Sequence, residues 1–107
     1  MFQSRSEFQE FLKNTPEKVV IILFTASWCS PCKKAKPIIY QYLKQNPEFK
    51  YMEIDFDEYS QFAALMRVSS IPSMFGFVNG ERESTCFSSN QFHITGFFEQ
   101  IQRACNK

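Results

Sequence analysis

The apolar residues of this chain change their spacing several times along its length, and each change marks an element. Phe8, Phe11 and Leu12 share one helical face, and Ser4-x-x-Glu7 before them has the form of a capping box, so a first short helix should end near Asn14. Pro16 then marks a turn. Val19 through Phe24 is an unbroken apolar run of six residues, β-branched at first, as a parallel strand covered on both faces requires. From Ser30 to about Asn46, the residues Ala35, Ile38, Ile39, Tyr42 and Leu43 recur at helical intervals with lysines between them, which predicts a long amphipathic helix. Met52, Ile54 and Phe56 alternate with Tyr51, Glu53 and Asp55, the period of a strand. Strand, helix and strand in this order form a parallel crossover unit.

The second half continues with Tyr59, Phe62, Ala63 and Met66, spaced as a shorter helix. Ile71-Pro72 opens a strand from Ser73 to Val78, and Asn79-Gly80 is a hairpin signal, so a strand near Arg82 to Phe87 should return antiparallel. Asn90 can cap a last helix that carries Ile94, Phe97, Phe98 and Ile101 inward.

At 107 residues, with 44% apolar and 17% aromatic content, the chain fits one domain around one core. Its thirteen phenylalanines fall mostly on buried faces once set on helix and strand periods, so packing accounts for them better than a cofactor pocket does. A formal charge of +1 favours neither nucleic acid nor an anionic membrane as partner. The charges are unevenly spread, however. No Asp or Glu lies between Glu17 and Glu48, a stretch that holds Lys18, Lys33, Lys34, Lys36 and Lys44, most of them expected on a solvated helix face. The opening residues lack the apolar segment of a signal peptide, and Glu7 and Glu10 argue against an organellar presequence. No apolar stretch approaches the roughly 20 residues needed to span a bilayer. A cytoplasmic location is the expectation.

Candidate chemistry centres on Trp28-Cys29-Ser30-Pro31-Cys32, where a dithiol separated by two residues opens the long helix. Cys29 falls at the helix N-terminus, where unpaired N–H groups and the positive dipole end favour a thiolate. Cys32 shares the apolar side of the helix with Ala35 and Ile39 and should be shielded. One exposed, acidified thiol then attacks a disulfide, and the second resolves the mixed disulfide. Lys33 and Lys34 add little, because solvent screens them. Pro31 suits the first helical turn, whereas Pro37 is interior and predicts a kink. Two structural disulfides of a secreted domain fit the tight spacing and apolar core poorly. Half of a zinc site needs further ligands, and Cys86, Cys105 and His93 are isolated, so no metal is expected. Cys86 and Cys105 read as unreactive thiols and His93 as a surface residue.

Phe24-Thr-Ala-Ser-Trp28-Cys29-Ser-Pro31-Cys32-Lys33, Pro37, Met52-Glu-Ile-Asp55-Phe-Asp57, Ile71-Pro72 and Asn79-Gly80 resemble the thioredoxin family in order and spacing, over nearly the whole chain. The resemblance implies an α/β thioredoxin fold, a central mixed sheet flanked by helices, with residues 1–107 as a single domain. It implies that Pro72 is cis and that the loop before it packs against the dithiol. The Ile71 backbone would then offer strand-like hydrogen bonds to a substrate beside an apolar surface around Trp28. The implied activity is protein-disulfide reduction, with Cys29 as nucleophile, Cys32 as resolving thiol, and Ser30 and Pro31 setting the motif. No cofactor would be bound. Electrons would come from NADPH through a flavin-containing thioredoxin reductase, and the partners would be disulfide-containing proteins met by a monomer.

Three positions depart from the family pattern. Leu23 stands where thioredoxins usually bury an Asp that helps take the proton from the resolving cysteine. Ser30 replaces a Gly inside the motif, a change that can shift the redox potential. Ser88 replaces the Gly that usually follows the last strand beside the substrate surface, so substrate choice is expected to differ. A thioredoxin-like binding module with incidental exchange is the alternative class, and the joint presence of Cys29, Cys32, Trp28 and Pro72 favours the enzyme. An oxidase or isomerase of an oxidising compartment fits the missing acid but not the missing signal sequence.

Overall fold

The computed structural model describes all 107 residues. Its organising element is β1 (Val19–Thr25), buried at every position. Alternation sends successive side chains to opposite faces of the sheet. Val19, Ile21 and Leu23 join one core cluster, with Ala35, Ile39, Ile94 and Ile101. Val20, Ile22 and Phe24 join a second, with Phe8, Leu12, Ile54 and Phe62. The unbroken apolar run is thus explained by burial on both sides.

β1 pairs in parallel with β2 (Lys50–Asp55) and antiparallel with β3 (Ser73–Val78). β4 (Glu81–Cys86) pairs antiparallel with β3, giving a mixed sheet of order β2-β1-β3-β4. One face is covered by α1 (Arg5–Asn14) and α3 (Ser60–Leu65), the other by α2 (Ser30–Gln45) and α4 (Gln91–Cys105). The expected elements are therefore all present in the expected order. Ser4 Oγ accepts the Glu7 N–H at 3.1 Å and Asn90 Oδ1 accepts the Phe92 N–H at 2.8 Å, so both anticipated caps form. Asn79 and Gly80 make the hairpin with φ of 52° and 82°, the left-handed pair that a two-residue turn demands. α2 continues through Pro37 to Gln45.

Most of the phenylalanines are core. Phe2, Phe8 and Phe62 lie with ring centroids 5.0–5.3 Å apart beneath α1 and α3, and only Phe87 and Phe92 are exposed. On the other face, the polar side of β2 docks onto α2. The Tyr40 and Tyr51 hydroxyls both donate to Glu53 Oε2, the latter at 2.9 Å, and Lys36 Nζ lies 3.3 Å from Oε1. Burial works to raise the Glu53 carboxyl, but the hydrogen bonds from Tyr40, Tyr51 and Lys36 outweigh it and hold the group below its usual range. Burial and the Glu53 carboxylate push Tyr40 up to about 12 and raise Tyr51 as well.

These raised values give the tyrosine pair a definite pH window. The stability it contributes is complete below the unfolded tyrosine value of about 10 and declines as pH rises through the folded values. An ultraviolet titration should show Tyr40 ionising near pH 12 in the native protein, and Glu53→Gln should bring that transition down. A second test concerns the glycines. A Cβ on Gly76 of β3 meets the Ile101 side chain and comes within 2.9 Å of Phe97 Cζ, whereas one on Gly96 of α4 meets nothing within 4 Å. Gly76→Ala should cost about 1–3 kcal/mol in urea unfolding by overpacking. Gly96→Ala should gain up to about 1 kcal/mol from helix propensity.

Candidate active site

The site forms where β1 hands the chain to α2. After Thr25, the Cys29 N–H donates back to the Ala26 carbonyl at 3.1 Å, which closes a turn and places Cys29 at the N-cap of α2. Its Sγ accepts the N–H of Cys32 at 3.2 Å, one of the N–H groups that a helix start leaves unpaired. Sulfur here takes the place of the oxygen of a Ser or Asp cap. A thiolate at that atom meets the positive end of the helix, and the first turn holds no acidic residue. Pro31 occupies that turn, where its missing N–H costs no hydrogen bond.

Cys29 and Cys32 are joined as a disulfide with Cα atoms 5.3 Å apart. Both are buried, at 3% and 0% exposure, so the expected exposed Cys29 is corrected in this oxidised form. The reason is tertiary. Cys29 turns its sulfur inward to cap the helix, and the two sulfurs form a small apolar cluster with Ala26, against which Ile71 packs. Cys32 lies on the buried helix face with Ala35 and Ile39, as its spacing predicts. The Ile71–Pro72 peptide is cis, Pro72 is buried and Ile71 half-buried, so the loop before β3 reaches the dithiol as the resemblance implies.

Trp28 is 62% exposed beside the disulfide. Its indole N–H donates to Asp57 Oδ2 at 2.6 Å. Asp57 sits in the turn after β2, where Asp55 Oδ1 accepts the N–H groups of Asp57 and Glu58 at 3.0 and 2.8 Å. Sequence reasoning counted Asp57 as a landmark without a role. The Asp-x-Asp turn after a strand was visible, but its link to Trp28 depends on the parallel register that sets Thr25 opposite Asp55.

The remaining candidates stand further out. Ser30 is exposed. Ser88 is half-buried between β4 and α4, where its Oγ accepts the Asn90 N–H at 2.9 Å and its carbonyl accepts the Cys86 thiol at 3.6 Å; these bonds tie it to its own loop. Burial raises the Cys86 thiol. Cys86 and Cys105 are free, His93 is exposed, and no three His, Cys, Asp or Glu side chains gather to hold a metal. Leu23 is fully buried in the cluster beneath α2. No helix is long and apolar enough to cross a membrane.

A helix-capping sulfur joined to a second sulfur on the buried helix face, with the cis-proline loop packed against the pair, is an arrangement built for thiol–disulfide exchange. The family model for thioredoxin matches residues 1–100. The chain belongs to the thioredoxin family. It is 32% identical to the thioredoxin of Ovis aries over 99 residues, covering 92% of this chain and 94% of that one. It is also 32% identical to thioredoxin-1 of Saccharomyces cerevisiae over 89 residues, 83% and 84% of the two chains. Among solved structures, a Plasmodium falciparum thioredoxin superposes with a TM-score of 0.74 at 25% identity, covering 92% of this chain and 95% of the other. The protein is accordingly a thiol:disulfide oxidoreductase of the protein-disulfide reductase type, with a redox-active CxxC.

The Trp28–Asp57 bond holds an exposed indole in one orientation next to the dithiol. Asp57→Ala should release it, shift and broaden the Trp28 fluorescence and lower the rate of disulfide reduction several-fold. Stability should change by less than about 1 kcal/mol, as for other exposed polar pairs. A fluorescence spectrum and rate equal to the parent's would mean that the bond orients nothing.

Proposed function

We propose that residues 1–107 act as one domain that reduces protein disulfides through Cys29 as nucleophile and Cys32 as resolving thiol. The observation that carries this reading is the Cys29 sulfur itself, which caps the helix by accepting the Cys32 N–H. The Cys29 thiolate attacks one sulfur of a substrate disulfide and expels the other as a thiolate. Cys32, having lost its proton, then attacks Cys29 Sγ, forming the Cys29–Cys32 disulfide and releasing the second substrate thiolate. Two electrons pass from dithiol to substrate and none to a bound cofactor. NADPH, through a flavin-containing thioredoxin reductase, restores the dithiol, which makes the protein a carrier in cytoplasmic electron transport that works as a monomer.

In this reading Trp28, Ile71 and Pro72 form the surface that receives the substrate, with Ser88 at its margin and Ser30 and Pro31 shaping the motif. The packing of Ile71 on the disulfide cluster supports the loop's part in it. Main-chain groups beside a cis-proline suit an extended peptide of variable sequence. Ser88 in place of glycine adds a side chain at that margin and narrows what fits.

Insulin reduction with NADPH and a thioredoxin reductase tests the proposal. The parent protein should precipitate reduced insulin chains while consuming NADPH, and Cys29→Ser should abolish this. Cys32→Ser should accumulate a mixed disulfide whose protein half is Cys29 by peptide mapping. Trapping through Cys86 or Cys105 would overturn the assignment. In the reduced parent, Cys29 should be alkylated well before Cys32, because it stands at the helix N-cap, where the helix start favours its thiolate, whereas Cys32 lies inside the helix on its apolar face.

A further inference from the structure

Thr25 closes β1 directly before the turn that carries the dithiol, and its Oγ1 is the one buried side-chain oxygen in the chain without a hydrogen-bond partner. None of the neighbouring polar side chains bonds to it. Asp55, its register partner on β2, accepts two N–H groups of its own turn, and the Ser73 hydroxyl on the other side donates to the Ser70 carbonyl at 2.6 Å. Strand alternation puts Thr25 on the same sheet face as Val19, Ile21 and Leu23, the face that packs beneath α2. As a crossover helix, α2 runs back over β1 from that end. Ala35 and Ile39 share the Leu23 cluster, and Cys32, one turn nearer the start of the helix, packs at the end of the strand with Ala26, the residue that follows Thr25. Thr25 is also the only residue on this face of β1 with a polar side chain.

An unpartnered buried hydroxyl is costly, so one kept beside a redox pair calls for an explanation, and a partner supplied by the other redox state is one. A disulfide sulfur is a poor acceptor. Reduced Cys32 accepts better, most of all as the thiolate it becomes when it loses its proton to resolve. We propose that the Thr25 hydroxyl is a positioning residue for the redox step, unpaired in the disulfide form and donating to the Cys32 sulfur once the disulfide is reduced. This rests on the dithiol reading above. It places the only hydrogen-bond donor on the β1 face beneath the resolving thiol at Thr25, two residues beyond the apolar Leu23, and it biases the couple toward its reduced form.

Equilibration with glutathione tests this, because two glutathione thiols and the protein disulfide exchange for one glutathione disulfide and the protein dithiol, with two electrons transferred. Thr25→Val keeps the shape and removes the hydroxyl. The variant should shift the equilibrium about tenfold toward the protein disulfide, roughly 30 mV more reducing. Thr25→Ser should stay within twofold of the parent. By linkage, Thr25→Val should also widen the gap between the melting temperatures of the oxidised and reduced proteins. Equal changes in both forms, with an unchanged equilibrium constant, would reduce Thr25 to a packing residue and overturn the proposal. Should the valine variant fail to fold, Thr25→Ala carries the same expectation. The measurement needs neither reductase nor protein substrate. A parent that equilibrates with glutathione yet leaves insulin intact would overturn the proposed function, while the ratio between variants still decides the role of Thr25.

Discussion

The structure depends on β1 being apolar from Val19 to Phe24 and covered on both faces. A strand buried in this way cannot slip in register without exchanging the contents of the two clusters, so its C-terminal end is set with little freedom. That end delivers the chain to α2. Because the helix must begin there, its unpaired N–H groups are gathered at the point where Cys29 stands, and the sulfur becomes their acceptor. The position and electrostatics of the dithiol are in this sense a consequence of core packing.

The parallel crossover adds the second constraint. Pairing of β1 with β2 lines Thr25 against Asp55 and so brings the following turn, with Asp57, to the Trp28 indole. On the same side of the sheet, further from the dithiol, Glu53 collects Tyr40, Tyr51 and Lys36 and fastens α2 to the edge strand. Pairing of β1 with β3 does the same for the opposite wall, setting Phe24 beside Ser73 and carrying Ile71 and the cis Pro72 onto the disulfide. Loops from both strand neighbours of β1 therefore meet the active-site turn, one at Trp28 and the other at the disulfide.

The interior beneath α2 is apolar at Leu23. Where the resemblance implies a buried acid, the cluster under α2 holds Leu23 among other apolar side chains, and no carboxylate is available there to take a proton. Apolar packing avoids the desolvation of a charge, and it leaves the chemistry of the resolving thiol to groups at the strand end.

Much of this was legible in the chain alone, because it rests on local rules. Periods of two and near 3.6, the caps at Ser4 and Asn90, and the left-handed turn at Asn79-Gly80 each depend on residues a few positions apart, and all appear where expected. So does the siting of Cys29 at a helix start, since a dithiol that opens an amphipathic pattern has one place to go. What the tertiary structure alone decided are contacts between residues distant in sequence. Trp28 and Asp57 are twenty-nine residues apart, and Ile71 comes from a different loop to bury the sulfur that helix position alone would leave open. The orphan hydroxyl of Thr25 belongs with them, because a threonine ending a strand looks ordinary until the assembled surroundings leave it buried with no neighbour bonded to it. Local patterns fix the backbone's path, whereas burial and hydrogen-bond satisfaction are properties of the surroundings, and those exist only once the sheet has assembled.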